Sequence, residues 1–249
     1  PYYQSAAEIT EAQLDTLAKL GQKSIQQVFY YGTGITDDSK REVIQHVLKP
    51  YVGEANISVE NDLVAAGISL CGDEAGIACI LGTGANSGYF EGGKLKEQIP
   101  PLGFWLGDEG SGANLGKRLI LAYLHHELPS DLRDAFIKRF GALNRLDIFE
   151  HAYQKEFPNR WFASFSKFLF DHRKHPFCYA LVEKAFQDFC QLYLVKYEAA
   201  KSVPIHFTGS VAFYYSDILK RVVTSFGLRI GIISEAPMAG LTLFHKKMI

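Results

Sequence analysis

No apolar run in this chain comes near the roughly 20 residues that a membrane-spanning helix needs. Charge of one sign is equally scarce: 26 Lys and Arg face 27 Asp and Glu, a formal net charge of −1. The first absence argues against a membrane span, and the second against a basic footprint for nucleic acid or acidic membrane surfaces. There is no low-complexity segment and no short-period repeat. The four cysteines, Cys71, Cys79, Cys178 and Cys190, form no CxxC pair and lie in apolar periodic segments. Buried free thiols in a reducing cytoplasm are therefore expected rather than disulfides. No secretory signal is recognisable in the first residues of the sequence as given. The His125-His126 pair and His172/His175 lack Cys or carboxylate partners at metal-site spacing, so they read as solvated helix residues. What remains is 249 residues, 47% apolar and 21% charged, the composition of an ordinary globular protein with room for one large domain or two small ones.

The apolar pattern divides the chain into two α/β segments. Ile9, Leu14, Leu17 and Leu20 recur at helical spacing over about residues 5–20, and Gly21 stops them. Residues 25–31 alternate as a strand closed by Gly32-Thr33-Gly34. A helix over 37–48 should end before Pro50, since proline disfavours helical backbone in the residue ahead of it. A strand over 57–60 and a helix over 62–70 complete an αβαβα segment. Next come an apolar strand at 76–81 and a hairpin over 86–96 that turns at Glu91-Gly92-Gly93. A mainly helical stretch then runs from Asp108 to about Ala200, broken at Pro129, Gly141, Pro158 and Pro176. The pattern closes with a strand (205–208), a helix (211–225), a strand (228–233) and a helix (236–244). The second segment thus reads βββ, a helical insertion, then βαβα. The aromatics of 157–170 fit helical core packing first, and a subunit interface, hence a homodimer, second.

Three short pieces carry the chemistry. Ile80-Leu81-Gly82-Thr83-Gly84-Ala85-Asn86 is a strand running into glycines that leave backbone N–H groups open to an anion. Gly107-Asp108-Glu109-Gly110-Ser111-Gly112 leads straight into a helical pattern. Glu60-Asn61-Asp62 is a strand end followed by a helix that opens on a carboxylate, at the sheet edge where ligands bind in α/β folds. Phosphate grip, proton acceptor and polar pocket are parts suited to phosphoryl transfer. Each also has a plain reading: Asp62 and Asp108 are natural helix caps, and Gly82-Thr83-Gly84 is a natural hairpin turn.

In this order, and with Phe207-Thr208-Gly209-Ser210-Val211 following, these pieces resemble the N-acetylglucosamine kinases of the BadF/BadG-type ATPase family, within the actin, sugar kinase and Hsp70 superfamily. The resemblance spans roughly residues 1–243. It implies two ribonuclease H-like (actin-like ATPase) lobes, each a βββαβαβα unit, at 1–72 and 73–249, the second with a helical insertion over about 113–200. ATP and Mg²⁺ are the implied cofactors and an amino sugar the implied substrate, phosphorylated on its 6-hydroxyl. Asp62 is then the general base. Gly82, Thr83 and Gly84 face the ATP phosphates, Gly209 and Ser210 border the adenosine, and Asn86, Gly103 and Asp108 hold the sugar.

The chain departs from the family pattern in two places. Animal N-acetylglucosamine kinases carry a Trp where Leu102 stands here, with Trp105 three residues later. The first segment lacks the unit's opening βββ, so about thirty preceding residues, with an Asp-x-Gly-x-Thr phosphate loop, are expected ahead of Pro1, and the chain without them is expected to be inactive. Two other functions stay open. One is the family's ATPases that activate acyl-CoA dehydratases or reductases, whose iron–sulfur cysteines lie close to the glycine loop, whereas residues 82–88 here hold none. The other is a sugar- or nucleotide-sensing protein without turnover.

Overall fold

The computed structural model describes residues 25–247, with Glu11 and Ala18 ahead of them. The helix expected over 5–20 therefore lies outside the described residues, apart from those two helical positions. The chain separates into two compact units that divide between Ala65 and Ala66.

In the first unit, strand β1 (Gln27–Gly32), helix α1 (Asp38–Val52) and strand β2 (Asn56–Asn61) form a β-α-β element with β1 and β2 parallel. The register pairs Gly32 with Asn61, so both strands end level and the residues after them, Thr33 and Asp62, leave the same edge. Helix α1 buries Ile44, Val47, Leu48 and Val52, an i, i+3, i+4, i+8 stripe, the first three of them clustered with Ile35 and Val59. Asp37 caps its start by accepting from the Lys40 N–H at 3.1 Å. The expected stop before Pro50 is not observed. The helix continues to Val52 because that residue completes the buried stripe, and it ends where Gly53 takes φ +59°. Pro50 removes one N–H···O bond in the last turn, and the burial of Val52 offsets that loss.

Helix α2 (Asp62–Cys71) crosses the division and leads into the second unit. Its five strands are those the sequence predicts: β3 (Gly76–Leu81), β4 (Ala85–Glu91), β5 (Lys94–Glu97), β6 (Ile205–Thr208) and β7 (Ile230–Ser234), in the order β5-β4-β3-β6-β7. β3, β4 and β5 form an antiparallel meander, and β6 and β7 add parallel to β3. After a four-residue helix α3 (Gly103–Leu106), the helical segment comprises α4 (Gly112–Leu124), α5 (Ser130–Phe140), α6 (Arg145–Tyr153), α7 (Pro158–Ser164), α8 (Ser166–Asp171) and α9 (Pro176–Leu192). All four expected breaks are helix ends: Pro129 and Gly141 flank α5, and Pro158 and Pro176 open α7 and α9.

One expected helix is two. α10 (Ser210–Tyr214) and α11 (Ser216–Ser225) part at Tyr215, whose ring is buried and whose hydroxyl donates to the Ser166 carbonyl at 2.8 Å. The last helix is α12 (Met238–Lys246). The core of this unit is aromatic. Phe136 packs on Phe165 and Phe168 with centroids 6.0 and 5.7 Å away, so three of the aromatics of 157–170, Phe162, Phe165 and Phe168, are interior. Helices α4 and α7 approach to backbone contact at Gly116, where a Cβ would stand 1.8 Å from the Phe162 carbonyl oxygen. Among the described residues, no helix is long and apolar enough to cross a membrane.

Candidate functional site

Asn61, the last residue of β2, accepts a hydrogen bond from the Val64 N–H at 2.8 Å and so caps α2. Capping therefore does not fall to the Asp62 carboxylate. That group accepts instead from the Thr33 hydroxyl at 2.8 Å. Thr33 sits in Gly32-Thr33-Gly34 at the end of β1, level with Asp62 because β1 and β2 are parallel and in register. A carboxylate oriented by a neighbouring hydroxyl at the C-terminal edge of parallel strands is placed to accept a proton from a substrate hydroxyl. The sequence reading missed Thr33 as a partner of Asp62. Its signal is the Gly-Thr-Gly that ends β1 and recurs after β3.

In the second unit Gly82-Thr83-Gly84 is the turn of the β3–β4 hairpin, closed by the Gly82 N–H on the Gly84 carbonyl at 3.0 Å. The loop is knit to α4. The Gly112 N–H donates to the Gly82 carbonyl at 2.8 Å and the Ala113 N–H to the Thr83 carbonyl at 3.1 Å. Ser111 caps the same helix through the Asn114 N–H, also at 3.1 Å. The first three N–H groups of α4 thus have partners inside the protein, and what the turn exposes is Thr83 at its tip.

Asp108 lies against this turn. It is 8% exposed, takes φ +63°, and its Oδ1 accepts from the Ala85 N–H at 3.1 Å. Asp is among the few side chains that tolerate this left-handed backbone. Burial pushes its carboxyl up from the ordinary range, the Ala85 N–H and the Lys117 ammonium hold it back, and Glu109 adds to the rise. Glu109 in turn accepts from the Tyr193 hydroxyl at 2.9 Å. Burial first, and Glu109 next, put the Tyr193 phenol well above its usual value. Of the other expected sugar contacts, Asn86 Oδ1 accepts from the Ser87 N–H at 2.9 Å and from Gln98 Nε2 at 3.0 Å. Gly103 opens α3 and its carbonyl accepts from the Gly107 N–H at 2.8 Å. Trp105 is exposed and stacks on Tyr153, centroids 5.7 Å apart at 4°.

Gly209 and Ser210 join β6 to α10. The resemblance sets Gly209 beside the adenosine; the structure gives its own reason for a glycine there. Its φ is +113°, and a Cβ there would meet the Leu81 carbonyl oxygen at 2.4 Å, so the end of β3 already requires glycine. The same packing brings the 82–84 turn and the 209–210 turn to one end of the sheet.

The four cysteines are buried free thiols. Burial alone raises Cys71 and Cys190 to about 12. His175 caps α9 and His172 follows α8, each bonded to backbone at its helix end. Among the described residues, no three His, Cys, Asp or Glu come together as a metal site.

No family model and no curated protein sequence matches the chain. Among solved structures it is similar to a candidate N-acetylglucosamine kinase from Porphyromonas gingivalis. The two are 40% identical with a TM-score of 0.91, over 99% of this chain and 88% of that one. A candidate N-acetylglucosamine kinase from Chromobacterium violaceum is 20% identical with a TM-score of 0.72, over 96% of this chain and 85% of that one. A ROK family glucokinase from Streptomyces griseus, solved with glucose and AMPPNP, is 15% identical with a TM-score of 0.51, over 98% and 88%. These last two share the fold. At 40% identity over nearly its whole length, this chain belongs to the same sugar-kinase family as the Porphyromonas gingivalis protein.

Proposed function

We propose that the protein is an ATP-dependent kinase that phosphorylates the 6-hydroxyl of N-acetylglucosamine or a related amino sugar. The observation that carries this reading is the division of labour at the end of β2: Asn61 caps the helix while Asp62, held by Thr33, keeps its carboxylate available. Asp62 is the general base. It receives the hydroxyl proton and fixes that oxygen in line with the γ-phosphorus, the orientation that a loose phosphoryl-transfer transition state most needs. Thr83 and the glycines beside it face the phosphates, and Gly209 and Ser210 border the adenosine. Asp108, Asn86 and Gly103 hold the sugar, whose hydroxyl and acetamido groups suit a carboxylate, an amide and backbone donors. Magnesium enters as part of the nucleotide substrate, carried mainly on phosphate oxygens.

Support for the nucleotide comes from the Streptomyces griseus glucokinase, in which a sugar and an ATP analogue bind to this same fold. Support for the sugar class comes from the Porphyromonas gingivalis relative. The test is ADP release by the full-length protein with MgATP and a panel of N-acetylglucosamine, N-acetylmannosamine, glucosamine and glucose. N-acetylglucosamine or another amino sugar should give the highest kcat/KM, and its 6-deoxy analogue should give none. Equal and trivial ADP release with every sugar would refute a kinase, and a preference for glucose would refute the amino-sugar assignment.

A further inference from the structure

The turn that holds Gly103 is tied to α4, the helix that follows the Asp108 loop, by a residue assigned no role so far. Lys117 sits in the second turn of α4, and its ammonium donates to the carbonyl of Phe104, inside α3. The same ammonium lies 4.6 Å from the centroid of the Phe104 ring, an added cation–π attraction. Two more contacts draw the turn and the loop together. The Gly107 N–H closes on the Gly103 carbonyl at 2.8 Å, and a Cβ on Gly107 would stand 2.9 Å from the Tyr193 hydroxyl, which itself holds Glu109.

We propose that Lys117 is a positioning residue for sugar specificity: its ammonium fixes the Gly103–Leu106 turn on α4, beside the Asp108 loop that leads into that helix, and so sets the wall against which the sugar lies. This rests on the kinase reading above. The electrostatics agree with the geometry. Burial lowers the Lys117 pKa while Asp108 and Glu109 draw it back up, and Lys117 in turn opposes the rise that burial imposes on Asp108. The groups that set the charge on Asp108 are thus Glu109 on its own loop, Lys117 on α4 and, through Glu109, Tyr193 after α9; Arg118 acts on Lys117. A methionine at this position would keep most of the stem over Phe104 while removing the donor and the charge.

The experiment measures kcat, KM for each substrate and Tm for the wild type, Lys117→Met and Lys117→Arg across pH 5–9. Lys117→Met should raise KM for the amino sugar about tenfold and leave KM for ATP within about twofold. Removing the cation lets burial dominate at Asp108, so the acid limb of 1/KM for the sugar should move to higher pH. Lys117→Arg, still charged and still a donor, should recover most of the sugar affinity. Unchanged sugar KM and an unmoved acid limb in a folded Lys117→Met would overturn the proposal, as would equal losses for both substrates. If Lys117→Met does not fold, Lys117→Gln, a neutral donor, takes its place with the same expected shift of the acid limb. A wild type without amino-sugar turnover sinks the kinase reading itself; a working wild type indifferent to Lys117 sinks this proposal alone.

Discussion

Asn61 and Asp62 are adjacent, yet their side chains bond to different partners, and the separate duties proposed for them can be tested by two substitutions. Asn61→Ala removes the acceptor of the Val64 N–H and nothing from the carboxylate. Loss of such a cap costs about 1 kcal/mol, within a range of roughly 0.5–2, or a fall in Tm of about 2–4 °C for a chain of this length. Asp62→Asn keeps an oxygen that can still accept from Thr33, so its hydrogen bond weakens from charge-assisted to neutral, a difference of about 1 kcal/mol. A further 0.3–1 kcal/mol or so goes with the lost negative charge in the first turn of α2. The two variants should therefore be similarly stable, and thermal unfolding should find both folded at 25 °C. Turnover should divide them. A positioned base contributes about 10²–10⁴-fold, so Asp62→Asn should lose that much kcat while Asn61→Ala stays within about threefold. ADP release at saturating sugar and MgATP reads this directly. Should Asp62→Asn keep more than a third of wild-type kcat, the carboxylate is no base; should Asn61→Ala lose as much as Asp62→Asn while folded, the division of labour is wrong.

Asp108→Asn and Asp108→Ala should both raise KM for the sugar with little change in kcat, the signature of binding shared by ground and transition states. The Ala variant should also melt lower by about 1–3 kcal/mol of stability, because it orphans the Ala85 N–H and places Ala at φ +63°; unchanged KM in either variant would remove Asp108 from the sugar site. Gly116→Ala forces a methyl to 1.8 Å from a carbonyl oxygen that cannot swing away, so α4 and α7 must part despite the better helix propensity of alanine. A loss of about 2 kcal/mol, or 4–8 °C in Tm, is expected, and an equal or higher Tm would contradict the close approach. His206 is buried, and its Nδ1 accepts from the Ile232 N–H at 3.0 Å, so burial holds its pKa below the ordinary 6.5. The unfolded chain then takes up a proton that the folded chain refuses, and this contribution is present above pH 6.5 and lost as pH falls from there toward the depressed folded value. Urea unfolding between pH 5 and 7.5 should show stability falling with acid by up to about 1.4 kcal/mol per pH unit, with a shallower slope in His206→Gln; identical slopes would refute it.

The fold was legible wherever a local signal coincided with the tertiary outcome. The strand at Gly76–Leu81 is apolar at every position because both its edges are paired and both its faces covered. Pro129, Gly141, Pro158 and Pro176 mark helix ends by backbone chemistry alone. What stayed hidden was decided by partners distant in sequence. The stop at Tyr215 depends on Ser166, and no glycine or proline announces it. The run of α1 through Pro50 depends on the burial of Val52. The bulge of β7 opposite Ile205–Phe207 is met by the His206 ring, which accepts the Ile232 N–H; nothing in the string Ile205-His206-Phe207 records it.

The candidate site follows the same rule at finer scale. Residue types and their order single out Asp62, Gly82-Thr83-Gly84 and Asp108, because glycine turns and carboxylates at helix starts are written locally. Sequence left Asp62 and Asp108 each divided between cap and ligand, and spacing could not decide. Hydrogen bonds decide it differently for each. Asn61 takes over the cap of α2 and Ser111 that of α4, so neither aspartate caps its helix. Yet Asp108 still spends one oxygen on the Ala85 N–H, which makes it a brace of the β3–β4 turn as well as a candidate sugar contact, whereas among the described residues Asp62 accepts from the Thr33 hydroxyl and from no backbone N–H. A residue with structural work should lose stability and affinity together when truncated, and one without it should lose rate. Thr33, Lys117 and Tyr193 could not have been found by spacing, since each meets its partner across 29, 13 or 84 residues of sequence. Thr33 meets Asp62 through the pairing of β1 with β2 in the first unit, and Lys117 and Tyr193 meet Phe104 and Glu109 through the packing of the second, contacts that exist only once the chain has folded.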